Sequence, residues 1–276
     1  MMNTLFEIDV EKCKRDGTCA AVCPLKLITL RDEDSIPVPI ERAEKQCIRC
    51  GHCAAVCPFG ALSLNFMKPE QCLPVDPKLL PSADQARHFL TARRSIRTYR
   101  KQPVDREAIA AMIDTARYAP SAVNAQPVKW LVIEDAGEVR RLAGLVIDWM
   151  RQVVTEDPEL AKGLNMKRFV AAWDNGEDRI CRGAPHVIVA HADGALAVSQ
   201  SSCTIALTYL ELAAFAAGFG ACWAGFFTRA ANLYPPMIEA LGLPDGHQAF
   251  GAMLVGYPKH RYRCIPLRKK ASVTWR

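Results

Sequence analysis

The sequence CIRCGHCAAVCP, from Cys47 to Pro58, sets the architecture of the N-terminal quarter of the chain because it occurs there twice. The earlier copy, CKRDGTCAAVCP, runs from Cys13 to Pro24 and lies 34 residues upstream. One cysteine is missing from that copy, because Asp16 stands where the second copy has Cys50. Each copy is followed by a short apolar segment, residues 27–30 and 61–64, and these segments predict short strands beside the cysteine loops.

The cysteine spacing of the second copy is that of an iron–sulfur ligand run. In C-x2-C-x2-C-x3-C-P, three thiolates bind one cubane and the fourth binds a neighbouring cluster. Dense disulfide frameworks belong to small secreted domains, whereas seven cysteines in ligand spacing favour metal binding in a reducing compartment. Such clusters transfer single electrons, so the pattern indicates electron transfer rather than hydrolysis or a purely structural role.

Residues 1–66 resemble the two-cluster bacterial ferredoxins, and this resemblance implies which side chains bind each cluster. One set is Cys13, Asp16, Cys19 and Cys57, and the other is Cys47, Cys50, Cys53 and Cys23. Asp16 departs from the family pattern, because a carboxylate is a harder ligand than a thiolate. Three states stay open for its corner: iron bound by Asp16, iron bound by water or hydroxide, or a three-iron cluster that lacks this corner.

Length and composition place the chain among folded proteins with more than one domain. It has 276 residues, of which 50% are apolar and 23% charged. The start MMNTLFEIDVEKC has no basic and apolar leader, so no signal peptide is predicted and we expect a cytoplasmic protein. Residues 199–227 contain one charged side chain, Glu211, but three glycines interrupt the second half. We therefore predict a buried helix followed by a glycine-rich turn, rather than a transmembrane segment.

The region after the repeat divides into a linker and a larger domain. Residues 67–84 contain four prolines, which predicts an extended, semi-rigid spacer. Residues 85–276 show mixed helical and strand periodicity, which predicts a single α+β domain. The expected strands are 130–133, 186–192 and 250–256, and the expected helices are 136–153, 196–217 and one that begins after Asp105.

Four segments of this domain resemble the nitroreductase family of FMN-dependent flavoproteins: RRSIRTY (93–99), APSAVNAQP (119–127), GFGACWAG (218–225) and PLRKK (266–270). The resemblance implies an FMN-binding α+β fold with a central, mostly antiparallel sheet. Arginine is suited to the flavin phosphate because its guanidinium is always charged and donates in a bidentate fork. The net charge of +6 then has a local use, so neither a nucleic-acid nor a membrane partner is predicted.

The resemblance also implies roles for the matching residues. The phosphate, ribityl chain and pyrimidine edge would be held by Arg93, Arg94, Ser95 and Arg97, with Arg268 and Lys269 closing on the phosphate. A second subunit of an intertwined homodimer would contribute Pro120, Ser121, Ala122 and Asn124. The segment beside the flavin ring would be Cys222, Trp223, Ala224 and Gly225, with a backbone N–H of Ala224 or Gly225 facing flavin N5.

The two halves together predict an electron pathway. Electrons would pass from the clusters to FMN and then to an organic acceptor, such as a nitroaromatic compound or a quinone. NAD(P)H and a ferredoxin or another redox protein are the candidate donors. Two alternatives stay open: oxidation of a substrate at FMN with electrons leaving through the clusters, and a non-enzymatic electron-transfer or redox-sensing module. We also expect core positions for Cys181, Cys203 and Cys264, and a pocket lined by aromatic residues from Trp173, Trp223, Phe226 and Phe227.

Overall fold

The computed structural model describes residues 5–32 and 35–276. The chain divides into two compact units, the first ending at Pro81 and the second beginning at Ser82. The three-part division predicted above, 1–66, 67–84 and 85–276, stays a prediction.

The N-terminal unit consists of two short antiparallel ribbons and three single-turn helices. Strand β1 (Phe6–Ile8) pairs with β4 (Leu62–Leu64), and β2 (Ile28–Thr29) pairs with β3 (Val38–Pro39). The predicted apolar segments after each repeat thus form β2 and β4. The helices are α1 (Thr18–Ala21), α2 (Ala43–Gln46) and α3 (His52–Ala55).

The repeat is visible in the backbone of the two cysteine loops. Gly17 and Gly51 occupy matching positions immediately before α1 and α3, with φ of 67° and 74°. Only glycine adopts this left-handed conformation at no steric cost. The two glycines therefore let each loop turn sharply between its cysteines.

The connector between the repeat and the larger unit is not fully extended. It contains two 3-10 turns, Pro69–Gln71 and Pro77–Leu79. Helix α4 (Ala83–Ala92) follows, with Ser82 as its N-cap. The Ser82 hydroxyl accepts the N–H of Gln85 at 3.2 Å, and the Gln85 side chain accepts the N–H of Ser82 at 2.8 Å. This capping box fixes where the helix starts.

The C-terminal unit is built on a four-stranded antiparallel sheet. Its strands are β5 (Lys129–Ile133), β6 (His186–Asp193), β7 (Gly220–Trp223) and β8 (His247–Gly256), in the spatial order β5-β6-β8-β7. The predicted α+β fold with a central antiparallel sheet is confirmed. The helices after α4 are α5 (Arg106–Ala116), α6 (Ala136–Glu156), α7 (Pro158–Gly163), α8 (Met166–Asp174), α9 (Ser199–Ala216), α10 (Gly225–Leu233) and α11 (Pro235–Leu241).

Helices cover both faces of this sheet, which explains why β6 is largely apolar between His186 and Asp193. Val187 and Val189 pack with residues of α6, including Val146, in one core cluster. Ile188 and Ala190 face the opposite way and belong to a second cluster with residues of α5 and α9. Successive side chains of a strand point to opposite faces, so a strand buried on both faces is mostly apolar at consecutive positions.

The long apolar segment from Ser199 to Phe227 forms three elements. Helix α9 ends at Ala216, a short turn follows, and residues 220–223 form β7 rather than a glycine-rich turn. The structure corrects the sequence prediction here, because Gly220 to Trp223 pair with Gly256 to Met253 of β8. Within the described residues, no helix is long and apolar enough to cross a membrane.

Candidate functional site

Two cavities of the N-terminal unit each collect one predicted set of cluster ligands. The walls of the first cavity include Cys23, Cys47, Cys50 and Cys53. Those of the second include Cys13, Asp16, Cys19 and Cys57. The fold therefore exchanges the last cysteine of each copy with the other copy, which is the grouping that the ferredoxin resemblance implied.

The pKa shifts of two buried cysteines reflect the same two groups. Burial raises the pKa of Cys53 to about 11, and repulsion from Cys50, Cys23 and Cys47 adds to the increase. Burial also raises the pKa of Cys19, with further contributions from Cys13, Cys57 and Asp16. Thiolates are the metal ligands, so each group needs a cationic centre to hold its members deprotonated.

Backbone donors point at the sulfur atoms of three of these cysteines. The N–H of Leu27 donates to Cys23 Sγ at 3.3 Å, and that of Ala61 donates to Cys57 Sγ at 3.3 Å. The N–H of Arg49 donates to Cys47 Sγ at 3.4 Å. Hydrogen bonds to cluster sulfurs are one means by which proteins set a cluster's potential. Within the described part of the chain, no three His, Cys, Asp or Glu side chains converge as a single metal ion would require. The residues fit clusters, in which the cysteines bind separate irons.

Asp16 already has one partner in the structure. Its Oδ1 accepts the N–H of Thr18 at 3.0 Å, a turn that shapes the loop ahead of α1. A carboxylate has two oxygens and about four lone-pair sites, so this bond is compatible with iron ligation through the same group. Iron binding by Asp16 stays a prediction.

In the C-terminal unit, Arg93 is paired with the one acid of helix α9. Its Nη1 lies 2.7 Å from Glu211 Oε1, and the two side chains are 22% and 9% exposed. In the sequence, Glu211 stands out as the sole charge of an apolar segment, but no motif identifies Arg93 as its partner. The signal was present, because acids are rarely buried unless a cation accompanies them. Arginine has five N–H donors, so Arg93 can hold a phosphate as well.

Arg94 lies in different surroundings from its neighbour. Its Nε donates to the carbonyl of Arg93 at 2.5 Å and its Nη2 to that of Thr91 at 2.6 Å. The side chain lines a wide cleft together with Arg100 and Lys259. The side chains of Arg94 and Arg93 have different partners, and the flavin role of Arg94 stays a prediction.

The segment after Arg94 lies against strand β7. Ser95 forms a parallel bridge with Ala221, and the N–H of Ile96 donates to the Ala221 carbonyl at 2.9 Å. This contact places the RRSIRTY segment beside the GFGACWAG segment, two of the four that carried the family resemblance. Two parts of the chain more than a hundred residues apart thus form one wall.

Burial and charged side chains of both signs affect Cys222, in the middle of this wall. Burial raises the pKa of Cys222, while Arg97 and then Arg182 oppose the increase. Arg182, which the sequence analysis missed, therefore lies near the predicted flavin-binding wall. It sits in a turn with φ of 60°, just before β6. No motif marked it, because its proximity to Arg97 arises only from the folding of that turn.

The two predicted donors to flavin N5, Ala224 and Gly225, lie at the end of β7 and differ in hydrogen bonding. The N–H of Ala224 donates to the carbonyl of Ala252 at 2.8 Å, as part of the sheet. This N–H already has an acceptor, so the structure corrects the prediction that Ala224 could donate to flavin N5. Gly225 is the first residue of α10, where backbone N–H groups have no intrahelical acceptor. Of the two predicted donors, Gly225 is the one that can face a ligand.

The loop predicted to reach a second subunit is strained. Val123, Asn124 and Gln126 have φ of 47°, 54° and 46°. A β-branched residue such as valine is an outlier in this left-handed region, and such strain concentrates at binding and active sites. Ser121 stabilises the turn by accepting the N–H of Gln126 at 2.9 Å. Ala122 is exposed in the same loop.

Two residues of this loop line a cavity beside α5 and α9. Pro120 and Ser121 face Ser202, whose buried hydroxyl has no hydrogen-bond partner among the described residues. Within one chain, these loop residues are therefore not grouped with the Arg93 segment.

The predicted phosphate residues of the C-terminal tail also lie apart. Arg268 and Lys269 belong to a segment, residues 261–276, that is exposed along its length and forms no helix or strand. Leu267 is 99% exposed and Trp275 is 89% exposed. The phosphate roles of Arg268 and Lys269 stay predictions.

Several minor expectations can be compared with the structure. Phe227 is fully buried in the core, so its predicted place in an open pocket is wrong. Phe226 packs against Phe169 at 4.9 Å, whereas Trp223 is 38% exposed and reaches the surface. Cys181 and Cys203 are buried as expected, but Cys264 is exposed, because the tail that carries it does not pack on the domain.

Family models and known proteins agree with these observations. The nitroreductase family model matches residues 90–257, and a model described as a 4Fe-4S dicluster domain matches residues 11–61. A putative NADH dehydrogenase/NAD(P)H nitroreductase of Archaeoglobus fulgidus is 27% identical over 176 residues, which are 62% of this chain and 84% of the relative. Iodotyrosine deiodinase of Thermotoga neapolitana is 28% identical over 133 residues, 46% of this chain and 67% of the relative.

Solved structures show the same fold for the C-terminal unit. A nitroreductase with bound FMN from Desulfitobacterium hafniense has a TM-score of 0.55 at 20% identity, over 68% of this chain and 95% of that one. One from Bacteroides fragilis, also with bound FMN, has a TM-score of 0.53 at 18% identity, over 69% and 95%. The chain is therefore an oxidoreductase that belongs to the nitroreductase family and carries a 4Fe-4S domain ahead of the family fold.

Proposed function

We propose that this protein is an FMN-dependent oxidoreductase that passes electrons between two iron–sulfur clusters and the flavin in order to reduce an organic acceptor. The acceptor classes are nitroaromatic compounds, quinones and related conjugated molecules. The observation that carries the proposal is the grouping of the repeat residues around two cavities, in a chain that also has a nitroreductase domain.

Each centre supplies what the other lacks. A cluster exchanges one electron, whereas the reduction of most organic acceptors requires two. A bound flavin can exchange either one electron or two electrons at a time. A chain that carries both groups can therefore collect electrons one at a time and deliver them as a pair.

The chain's own residues would bind and orient the flavin. Arg93, restrained by Glu211, would present its remaining donors to the phosphate, assisted by Arg268 and Lys269. Ser95 lies beside β7, so its hydroxyl would hydrogen-bond the ribityl chain, while Arg97 would meet the pyrimidine edge. Gly225 would offer its N–H to flavin N5, and Trp223 would limit access of water to the ring.

Three exposed features of the C-terminal unit support a homodimer with shared flavin sites. Helix α9 leaves Ile205 and Tyr209 more than a third exposed. The strained loop projects Val123, which is 67% exposed, and the tail projects Trp275. A second copy would cover this apolar surface and supply Pro120, Ser121, Ala122 and Asn124 to the partner's flavin.

The proposal is tested by anaerobic rapid mixing of the full-length, cofactor-loaded protein. The dithionite-free protein is mixed with NADH, NADPH or reduced ferredoxin, while flavin absorbance and the broad cluster absorbance are followed separately. We expect both centres to be reduced in sequence and then to be reoxidised together by the acceptor. The acceptor panel includes nitroaromatic compounds, quinones and an iodinated phenol, the last because one relative is an iodotyrosine deiodinase.

Two results would contradict the proposal in different ways. If the flavin and cluster signals change independently and never equilibrate, electrons do not pass between the centres. If the reduced protein is reoxidised by none of the acceptors but exchanges electrons with a redox protein, the chain is a carrier rather than an enzyme.

A further inference from the structure

The wide cleft that contains Arg94 has the size of a small-molecule site. Its volume is about 540 Å³, and ligand pockets commonly measure about 300–1,000 Å³. The ends of helices α4 and α9 form one side, and the segment that follows β8, residues 257–262, forms the other. We name this feature the basic cleft.

The charge of the basic cleft has one sign. Arg94, Arg100, Lys259 and Arg261 line it, together with His260, and none of its lining residues is acidic. Four cations around one concave surface attract an anion, and arginine favours phosphate through its planar fork of donors. The charge therefore points to a phosphorylated ligand.

Backbone hydrogen bonds fix the main chain at two of these cations, Arg100 and Lys259. The N–H of Arg100 donates to the carbonyl of Tyr257 at 2.9 Å, and the N–H of Lys259 donates to that of Thr98 at 3.0 Å. These bonds join the two strips of chain that carry the charges. A site whose framework is fixed in advance loses less conformational entropy on binding.

Aromatic rings also line the same cleft. Phe219 and Tyr257 meet edge to face, with ring centroids 5.2 Å apart and planes at 70°. Phe215 and Tyr262 also line the cleft. Such rings offer apolar faces on which a flat heterocycle can stack. The ligand that fits both features combines a flat ring with a phosphate.

The basic cleft lies at the opposite end of β7 from the proposed flavin N5 donor. Gly218 and Phe219 precede the strand, whereas Trp223 and Gly225 follow or end it. The strand's four residues span roughly 10 Å at about 3.3 Å per residue. Arg93, the predicted phosphate residue, is turned toward Glu211 and does not line the basic cleft.

We propose that the basic cleft is a second ligand site, distinct from the flavin site, that binds a nucleoside phosphate. The phosphate contacts Arg100 and Lys259, and the base stacks on the aromatic wall of Phe219 and Tyr257. A free nucleotide and the adenylate half of a dinucleotide donor share this chemistry.

The test is titration calorimetry of AMP into the full-length protein loaded with its cofactors, with adenosine and inorganic phosphate as separate probes. We expect AMP to bind more tightly than either fragment, with one site per chain. The variant Arg100→Gln/Lys259→Gln should weaken AMP binding by about tenfold for each cation lost, the effect of a charge-assisted hydrogen bond. The control Lys162→Gln/Lys167→Gln removes two exposed lysines elsewhere and should leave AMP binding unchanged.

Flavin content, measured by absorbance after release, separates this proposal from the flavin proposal. It should be equal in the wild type, the cleft variant and the control. A cleft variant that loses FMN in parallel with AMP would show that the cleft is part of the flavin site, and the inference would fail. No binding of AMP to the flavin-loaded wild type at millimolar concentration would also overturn it.

Kinetics then identify the source of the nucleotide. If the ligand is a dinucleotide donor, the cleft variant needs more NADH or NADPH for half-maximal flavin reduction, while kcat changes little. If it is a free nucleotide, the donor requirement is unchanged and AMP alters the wild-type rate but not that of the variant. An AMP affinity that is equal in wild type and variant would contradict both.

Discussion

Different interactions stabilise each of the two units of this chain. In the N-terminal unit, the main core cluster has nine described buried residues, one of which is the predicted ligand Cys19, and its strands are two or three residues long. The C-terminal unit has clusters of 27 and 14 buried residues on the two sides of its sheet. A core as small as the first seldom suffices for stability, so small domains are commonly stapled by metals. The difference teaches that the cofactors of the two units contribute unequally to folding.

Removal of the clusters should give the largest difference between the units. Without iron, the buried thiols have no cationic partner, and we expect residues 5–81 to unfold while the sheet domain stays folded. Limited proteolysis of protein stripped of iron anaerobically should leave a fragment that begins near Ser82. Protein stripped of FMN but not of iron is the control and should keep both units resistant. An N-terminal unit that stays protected without iron would show that its apolar core suffices.

Inside the sheet domain, the largest single effect should come from the buried ion pair. Glu211→Ala leaves Arg93 with an uncompensated charge, which costs about 3 kcal/mol of unfolding free energy, the lower end for buried pairs because Arg93 keeps some exposure. Urea denaturation of the C-terminal unit measures this loss. Glu138→Ala, which breaks the exposed pair with Arg141, is the matched control and should change stability little. Equal effects of the two changes would refute a special role for Glu211.

A smaller loss should follow from filling the close contact between the RRSIRTY segment and β7. A Cβ atom at Gly220 would lie 2.7 Å from Ile96 Cγ1, so Gly220→Ala forces Ile96 to move at a cost of about 1–3 kcal/mol. Adding Ile96→Ala removes Cγ1 and Cγ2 but leaves Cβ 2.8 Å from the added atom, so the double variant should lose less stability than the sum of the two single changes. Gly163→Ala, where nothing lies within 4 Å of the added atom, should be neutral or slightly stabilising. The readout is the thermal unfolding midpoint of the cofactor-loaded protein.

The smallest effect sharpens the comparison between the two copies of the repeat. Asp16→Cys should complete the first ligand set and make its cluster resemble the second in electron paramagnetic resonance. The reciprocal change Cys50→Asp should give the second cluster the signature of the first. Iron content should change by about one atom per cluster at most, as expected for a single corner. Spectra that do not respond to Asp16→Cys would show that this residue does not bind iron, and its bond to Thr18 would then explain its presence.

The sequence by itself determined the features that depend on spacing and periodicity. The 34-residue repeat identified the cysteine runs, from which the ferredoxin resemblance implied two ligand sets, and the segment HVIVAHA predicted a buried strand. These predictions succeed because ligand spacing and strand periodicity are local properties of a chain. The order of four segments carried the resemblance to the nitroreductase family, which the family model confirms.

Only the tertiary structure decided which hydrogen-bond donors and charges remain available to a ligand. The N–H of Ala224 donates to the carbonyl of Ala252, and Arg93 is paired with Glu211, 118 residues away. Arg94 lines the basic cleft, whereas its neighbour Arg93 does not. Arg182 comes near Cys222 through a turn that no motif marks. A sequence lists donors and charges, but whether a donor is free depends on partners that lie far away along the chain, and only the packed fold brings them together.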